Sequence, residues 1–213
     1  IYGCLVGSEM CIRDRGIIAT VIATALGTLA ALGLSRPHMP YKGLIMAILI
    51  SPMIVPLIIT AAGMFFFYAR INLVYTFTGV ILAHVALATP FVVITVTATL
   101  VGFDMNMVKA AQSLGAKPMR TFFKVIMPLI LPGIISGDLF AFITSFDEVV
   151  IVMFMASIDQ LTIPKQMWAG IRQEISPVIL CMATCLVLLS IFLLTTVELL
   201  RRRSEKLRGI KAR

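Results

Sequence analysis

Three acidic residues, Asp138, Asp147 and Glu148, lie in a predominantly apolar stretch that runs from Met127 to Met155. Ionisable side chains at membrane depth are costly to bury, so they are candidate functional groups that face a polar path. A carboxylate in such a path attracts cations. A structural role is the alternative: Asp147 and Glu148 would then cap or hydrogen-bond a helix that breaks near the membrane boundary. At about 100° per residue, Asp138 and Asp147 fall on opposite faces of an unbroken helix, so the three carboxylates need not form one cluster.

The other reactive residue types form no recognisable catalytic or metal-binding pattern. His38 and His84 have no partner at metal-ligand spacing, and we expect packing or hydrogen bonding from them. The four cysteines, at positions 4, 11, 181 and 185, contain no CxxC pair, and Cys181 and Cys185 are predicted to pack on one helical face. The sequence lacks GxSxG, HExxH and the GxxxxGK[ST] phosphate loop. We therefore predict a chain without enzymatic activity, cofactor or metal.

The composition indicates a membrane protein. Of the 213 residues, 60% are hydrophobic and 13% charged, whereas a soluble domain carries about 25% charged residues. The net charge of +8 could suggest a nucleic-acid partner. However, the basic residues occur in short gaps between apolar runs and form no basic face on a folded domain, which argues against nucleic acid.

Apolar stretches long enough to span a bilayer occur five times. A hydrocarbon core of about 30 Å needs roughly 20 helical residues. The five stretches are Gly16–Leu34, Gly43–Tyr68, Tyr75–Val101, Met127–Met155 and Val178–Leu200. The fourth exceeds one span, so we expect it to be interrupted or tilted. Prolines at positions 52 and 56 interrupt the second stretch, and Pro90 can kink the third. The sequence thus predicts an all-α polytopic helical bundle.

Small residues recur every fourth position in the first stretch, at Ala19, Ala23, Gly27 and Ala31. Such a stripe lets a neighbouring helix approach closely. We expect this neighbour to belong to the same chain.

The lysine and arginine residues are distributed unevenly between the two sides of the membrane. Thirteen fall on the side of loops 35–42 and 102–126 and of the basic tail at 201–213, against three on the other side. Because positive charge is retained in the cytoplasm, we predict that these loops and the C-terminus are cytoplasmic. Residues 69–74 and 156–177 then lie outside.

Residues 1–15 differ in character from the rest of the chain, with two cysteines and four charges before a clean apolar run. The string GCLVGSEMCIRDR resembles translated sequencing-adapter read-through. We expect residues 1–15 to be non-native and the natural N-terminus, with a first helix, to be missing.

The loop from Gly102 to Ile126 is longer than the other gaps. Asp104 is a plausible N-cap for a short helix, which Gly115 would end in the left-handed conformation. Lys117-Pro118 predicts a turn, and a second helical stretch comes after it with Phe122, Val125 and Ile126 on one face. Such a unit fits a groove on a soluble partner, but it also suits an amphipathic connector resting on lipid headgroups. The physical pattern favours neither.

The loop resembles the coupling motif of ABC-importer permeases, which reads Glu-Ala-Ala, three residues, Gly, nine residues, Ile, one residue, Leu-Pro. The spacing fits throughout, with Ala110, Ala111, Gly115 and Pro128 in place. The resemblance implies ATPase-coupling residues at Lys109, Ala110, Ala111, Gly115, Ala116 and Pro128. Three positions depart: Lys109 replaces Glu, Val125 replaces Ile and Met127 replaces Leu. Lys109 reverses a charge, which puts in doubt an ion pair from that position but not the docking helix.

Other segments are similar to spermidine/putrescine-type permeases, and the likeness spans roughly residues 16–200. They are Leu82–Asp104, Ser145–Val150, Leu161–Pro164 and Ile175–Pro177. The resemblance implies the type I ABC-importer permease fold over residues 16–200, normally with six helices. Five visible spans agree with a truncated N-terminus.

The resemblance also implies a function. The chain would be the inner-membrane permease subunit of an ATP-driven polyamine importer, coupled through loop 102–126. Its partners would be two ATP-binding subunits, a second permease subunit, an extracytoplasmic binding protein and the lipid bilayer. The three carboxylates would ease passage of a polycation. The alternatives are a same-fold permease for iron, an anion or a small organic solute, or an integral-membrane enzyme, which the missing motifs disfavour.

Overall fold

The computed structural model describes residues 2–36, 39–101, 106–157, 160, 162–173 and 177–207. All regular structure in these ranges is helical. The α-helices are α1 (Tyr2–Leu34), α2 (Lys42–Ile54), α3 (Leu57–Arg70), α4 (Phe77–Val101), α5 (Asn106–Ser113), α6 (Pro118–Thr121), α7 (Met127–Asp147), α8 (Val150–Met155), α9 (Ile163–Gln173) and α10 (Pro177–Leu207). A π-helical turn, Phe122–Ile126, joins α6 to α7.

Four helical segments of the described chain are long and apolar enough to cross a membrane. They are Arg15–Leu34, Phe77–Val101, Pro118–Asp147 and Ile179–Thr196. Helices α2 and α3 pass the same test only as a pair, bent by 105°, which raises the number to five if the pair is one span. The predicted all-α polytopic bundle is therefore confirmed.

The bundle core forms where α1, α4 and α7 meet. The predicted stripe on α1 lies in this contact, with Ala19, Ala23 and Ala31 fully buried. A Cβ placed on Gly27 would lie 2.6 Å from the Cβ of Val92 on α4, so only glycine fits there. The stripe packs within the chain, as predicted.

Helices α4 and α7 run antiparallel through close backbone approaches. A side chain on Gly133 would collide with Thr99, and one on Gly137 would lie 2.9 Å from the Cα of Val92. Pro90 is buried, and α4 continues through it without interruption. A proline removes one backbone hydrogen bond from its own helix. Close packing of neighbouring helices allows a membrane helix to tolerate that loss.

The second predicted span is two helices joined by a sharp elbow. Val55 is extended, with φ −71° and ψ 134°, and α3 starts directly after Pro56. A residue before proline is pushed out of the helical region, which explains the break at this point. Pro52, predicted to interrupt the span as well, lies inside α2. The predicted interruption is therefore confirmed at Pro56, whereas α2 continues through Pro52.

The fourth predicted span is interrupted, as expected. Helix α7 ends at Asp147, Glu148 is extended, and α8 begins at Val150. On its N-terminal side the helix runs without a break from Pro118 into α7, so the predicted second helical stretch of the 102–126 loop is continuous with this span.

Helix α1 starts at Tyr2 and passes through position 15 without a boundary, so the expectation that residues 1–15 are non-native stays a prediction. Helix α10 continues to Leu207, which makes the first part of the basic tail helical. Cys181 and Cys185 share α10 but are exposed, so within the described chain they do not serve as the predicted packing residues.

Candidate functional site: the 102–126 loop and the membrane carboxylates

Helix α5 ends in a compact hydrogen-bonded cap built on Gly115. Gly115 has φ +78°, and its N–H donates to the carbonyl of Gln112 at 2.9 Å. The N–H of Ala116 donates to the carbonyl of Ala111 at 3.1 Å. These two bonds define a Schellman motif, in which a left-handed residue closes the helix. The predicted glycine cap is confirmed, and Ala111 and Ala116 belong to it through their backbones.

The chain then turns as predicted and enters the long helix. Lys117 is extended, with φ −64° and ψ 152°, and Pro118 is the first residue of α6. Of the second helical face, Ile126 packs against the bundle core. The proposed N-cap, Asp104, lies outside the described residues.

The six predicted coupling residues differ in their exposure to solvent. Lys109, Ala110 and Gly115 are exposed, whereas Ala111 and Ala116 are half-buried. Pro128 is exposed in the first turn of α7, beyond the loop. The motif therefore joins an outward-facing helix to the start of a bundle helix.

Asp138 lies between α7 and α1. Its Oδ1 accepts a hydrogen bond of 2.8 Å from the hydroxyl of Thr24. This bond connects the two helices where both are part of the core, so it supports packing directly. The structure does not bring Asp138 to the other two carboxylates.

Glu148 caps the helix that follows the break. The N–H of Ile151 donates to its Oε1 at 2.8 Å, and the side chain is buried. This is the structural role that the sequence left open for the Asp147–Glu148 pair. Capping satisfies a backbone donor that would otherwise have no partner at the start of α8.

Asp147 faces a different helix from Glu148. It lines a pocket of about 20 Å³ between α7 and α10, together with Phe142, Phe146 and Ser190. That volume accommodates roughly one water molecule. The three carboxylates thus lie on three faces, in agreement with the helical-angle argument.

A cleft of about 320 Å³ opens at the α2–α3 elbow, and Glu148 forms part of its wall. The other lining residues are apolar apart from one threonine: Pro52, Met53, Ile54, Val55, Pro56, Leu57, Leu87, Phe91 and Thr144. Glu148 is the one ionisable side chain in this lining. The cleft was not predicted from the sequence, although Pro52 and Pro56, which line it, were recognised there as helix breakers.

A buried polar contact lies one turn before Glu148. The hydroxyl of Ser145 and Nδ1 of His84 are 3.0 Å apart, which joins α7 to α4. His84 is 1% exposed. The expectation that His84 serves packing or hydrogen bonding is confirmed.

Helix α9 lies beyond the Asp147 end of α7. The hydroxyl of Thr162 caps α9 by accepting the N–H of Lys165 at 3.2 Å. Burial lowers the pKa of Lys165, and the positive charge of Arg15 lowers that pKa further. The lysine is therefore held where its ammonium group is partly desolvated.

Residues 23–206 match the family described as binding-protein-dependent transport system inner membrane component. The chain belongs to this family. It is a multi-pass inner-membrane protein and the non-catalytic permease subunit of an ABC importer, which works with an ATP-hydrolysing subunit and a binding protein.

Two relatives illustrate the sequence similarity. The chain is 30% identical to the spermidine/putrescine transport system permease protein PotC of Haemophilus influenzae, over 88% of this chain and 73% of that protein. It is 29% identical to the putrescine transport system permease protein PotI of Escherichia coli K12, over 86% and 70%.

The fold also matches solved structures. A chain of the inward-facing MetNI methionine ABC transporter superposes with a TM-score of 0.74 at 17% identity, covering 95% of this chain and 97% of that one. An amino acid ABC transporter gives a TM-score of 0.65 at 18% identity. The type I ABC-importer permease fold is therefore shown.

Proposed function

We propose that this permease subunit carries polyamines, and that its 102–126 loop is the element through which an ATP-hydrolysing subunit drives transport. The substrate part of the proposal is supported by the names of the PotC and PotI relatives and by the position of Glu148 in the elbow cleft. The coupling part is supported by the glycine cap of α5. That cap is the observation on which the proposal rests.

The coupling role follows from how the loop is attached. Helix α5 follows α4 in the chain, and α6 continues into α7. The Schellman motif fixes the angle of the turn between α5 and α6. A push on α5 is then transmitted to α4 and α7, which pack along their lengths. Two sites become coupled when both bias the same two-state element, and this helix pair is that element.

The substrate path would run past the elbow cleft. A polyamine carries two or more ammonium groups separated by methylene chains. An apolar cleft with one carboxylate matches that alternation of charge and hydrocarbon. Asp147, on the neighbouring face, is proposed as a second carboxylate of the path. Asp138 remains a predicted path residue, although its hydrogen bond to Thr24 gives it a packing role.

The assembly would follow the importer plan. We propose two copies of the ATP-binding subunit, a second permease subunit and an extracytoplasmic binding protein. Loops 35–42 and 102–126 and the C-terminus would face the cytoplasm, because that side carries the larger share of lysine and arginine.

Reconstitution in proteoliposomes with the ATPase, permease and binding-protein partners tests both parts. The complex should take up labelled putrescine or spermidine when ATP is supplied. Gly115→Trp should still hydrolyse ATP but lose about tenfold or more of its uptake, the scale of an allosteric coupling free energy. The reason is that φ +78° strains any residue with a Cβ, and the indole adds bulk to the docking surface.

Gly43→Trp is the matched control, because Gly43 is exposed and a Cβ there also meets no neighbour. It should retain uptake. Normal ATP-driven uptake by Gly115→Trp would rule out the coupling role. A binding protein that ignores both putrescine and spermidine would rule out the polyamine substrate and leave the coupling role standing.

A further inference from the structure

Three aromatic rings meet at the end of the bundle opposite the 102–126 loop, where α4 begins. Phe65 belongs to α3, Tyr75 to the segment between α3 and α4, and Phe154 to α8. The ring centroid of Phe65 lies 6.4 Å from that of Tyr75 and 6.5 Å from that of Phe154, and both pairs meet edge to face. Tyr75 and Phe154 are exposed, and Phe65 is half-buried. These three residues form an aromatic cluster that a ligand can reach.

Tyr75 is fixed through its backbone while its ring stays exposed. Its φ is +62°, a left-handed conformation that is unfavourable for a residue with a bulky side chain. Its N–H donates to the carbonyl of Met155, the last residue of α8, at 3.0 Å, and its carbonyl accepts Nε2 of Gln160 at 3.5 Å. The ring itself is 59% exposed, so its burial does not account for this conformation. Backbone strain of this kind is found at sites that bind ligands.

Aromatic rings attract ammonium groups because the faces of the rings are negatively polarised. A cation within about 6 Å of a ring centroid is attracted, and the attraction is stronger where water is partly excluded. An edge-to-face pair covers only part of the ring faces. The aromatic cluster therefore retains ring faces to which a cation can bind.

The adjoining turn of α8 already accepts an ammonium group of the chain itself. Nζ of Lys165, on α9, donates to the carbonyl of Val152 at 3.5 Å. This carbonyl belongs to the last turn of α8, where carbonyl oxygens carry partial negative charge. The distance is at the upper limit for a hydrogen bond, so an incoming ammonium group can displace the lysine.

The aromatic cluster and Glu148 lie at opposite ends of the contact between α3 and α8. Leu57, at the start of α3, lines the elbow cleft together with Glu148. Phe65 follows Leu57 by eight residues on the same helix, a rise of about 12 Å. On α8, Glu148 caps the start and Phe154 lies near the end. A ligand that touches both places must therefore be about 12 Å long.

That separation matches a triamine better than a diamine. An extended chain of single bonds advances about 1.2 Å per bond, so the terminal nitrogens of spermidine are about 11 Å apart and those of putrescine about 6 Å. Spermidine can place one terminal ammonium group in the aromatic cluster and the other beside Glu148. Putrescine reaches one of the two places at a time.

We infer that the aromatic cluster and Glu148 form a two-point site that selects spermidine over putrescine. The aromatic cluster binds one terminal ammonium group on the side predicted to be outside, and Glu148 binds the other in the elbow cleft. The inference rests on the proposed polyamine function and adds the choice between two polyamines.

Uptake by the complete transporter in proteoliposomes tests the two-point site. The binding protein is supplied in excess and saturated with one amine at a time, so that its own preference does not affect the ratio of the two uptake rates. Tyr75→Ala should lower spermidine uptake about fivefold, the scale of one cation–π contact, and putrescine uptake by less than about twofold. Tyr75→Phe keeps the ring and should keep the wild-type ratio.

Phe67→Ala is the matched control, because Phe67 is an exposed aromatic residue of α3 outside the aromatic cluster. It should leave the ratio of the two uptake rates unchanged. Phe65→Leu, which keeps an apolar side chain and removes the ring, should lower that ratio in the same way as Tyr75→Ala. It provides the measurement if Tyr75→Ala does not assemble.

An unchanged ratio in Tyr75→Ala and Phe65→Leu would overturn the two-point site. An equal loss of both amines would also overturn it, since the rings would then serve only packing or anchoring at the membrane interface. An equal shift in Phe67→Ala would do the same. If the wild type takes up both amines in any of these cases, the polyamine function stands and only the two-point site is wrong, whereas a wild type that takes up neither contradicts the polyamine function itself.

Discussion

At the scale of single residues, Glu148 occupies two structural positions at once: it caps a helix and lines a cleft. Its carboxylate accepts the Ile151 N–H and starts α8, and it also borders the elbow cleft. A capping contact needs only an acceptor oxygen, whereas attraction of a polycation needs the negative charge. The two roles can therefore be separated by substitution.

Glu148→Gln keeps an acceptor oxygen and removes the charge. We expect the stability of the purified subunit to stay within about 0.5 kcal/mol, because the cap is retained, while polyamine uptake falls about tenfold. Glu148→Ala should lose uptake and also about 1 kcal/mol of stability. Thermal unfolding in detergent and uptake in proteoliposomes measure the two effects.

Asp138→Asn is the matched comparison, since an amide oxygen can still accept the hydrogen bond from Thr24. Its uptake should fall less than that of Glu148→Gln, because Asp138 is held between α1 and α7 and lines neither the elbow cleft nor the pocket beside Asp147. Full uptake by Glu148→Gln would show that Glu148 is a cap alone, and a strong loss in Asp138→Asn would bring Asp138 into the path.

The residues that sequence reasoning placed well are those whose roles are local. Gly115 could be predicted because a left-handed cap is fixed by a few neighbouring residues. The partner of Asp138 could not, because Thr24 lies 114 residues away. His84 and Ser145 meet in the same manner, across two helices that only the folded bundle brings together.

At the scale of elements, close packing of helices organises the bundle. Hydrocarbon side chains gain little from leaving lipid for a protein interface, so membrane helices associate where small residues let their backbones approach. Gly27, Gly133 and Gly137 occupy such approaches around α4. The repeat of small residues in α1 was readable in the sequence, because helical spacing displays it. The 105° elbow was not, since prolines locate a break but do not set its angle.

Two glycines in α1 allow a direct test of this packing. Gly27→Ala should destabilise the subunit by about 1–3 kcal/mol, because its Cβ would meet Val92, a buried and rigid β-branched residue. Gly33→Ala makes the same change in the same helix with no neighbour within 4 Å. It should leave stability unchanged or raise it by less than about 1 kcal/mol. Thermal unfolding in detergent compares them, and equal stability of the two variants would refute the packing role of Gly27.

At the scale of the whole molecule, the described chain leaves much apolar surface uncovered. In the elbow pair α2–α3 one residue, Ala61, is buried, and large apolar side chains such as Phe66 are exposed. Helix α10 likewise contacts mainly α7 and α9. Exposed apolar surface of this extent is expected of a subunit surrounded by lipid and, as proposed, by a second permease. Sequence composition predicted the membrane environment, but the surfaces that partners cover emerge only from the packed bundle.

The orientation of the molecule yields a test that is independent of transport. Leu114 and Trp168 lie beyond opposite ends of the Pro118–Asp147 helix, and both are exposed. The lysine and arginine bias places Leu114 in the cytoplasm and Trp168 outside. In a background with all four cysteines replaced by serine, a membrane-impermeant maleimide should label Trp168→Cys in right-side-out vesicles and Leu114→Cys in inside-out vesicles. Phe66→Cys, exposed on an apolar helix, should resist the reagent from both sides because thiolate formation requires water. Labelling of Leu114→Cys from the outside would invert the topology and exclude the 102–126 loop from contact with a cytoplasmic ATPase.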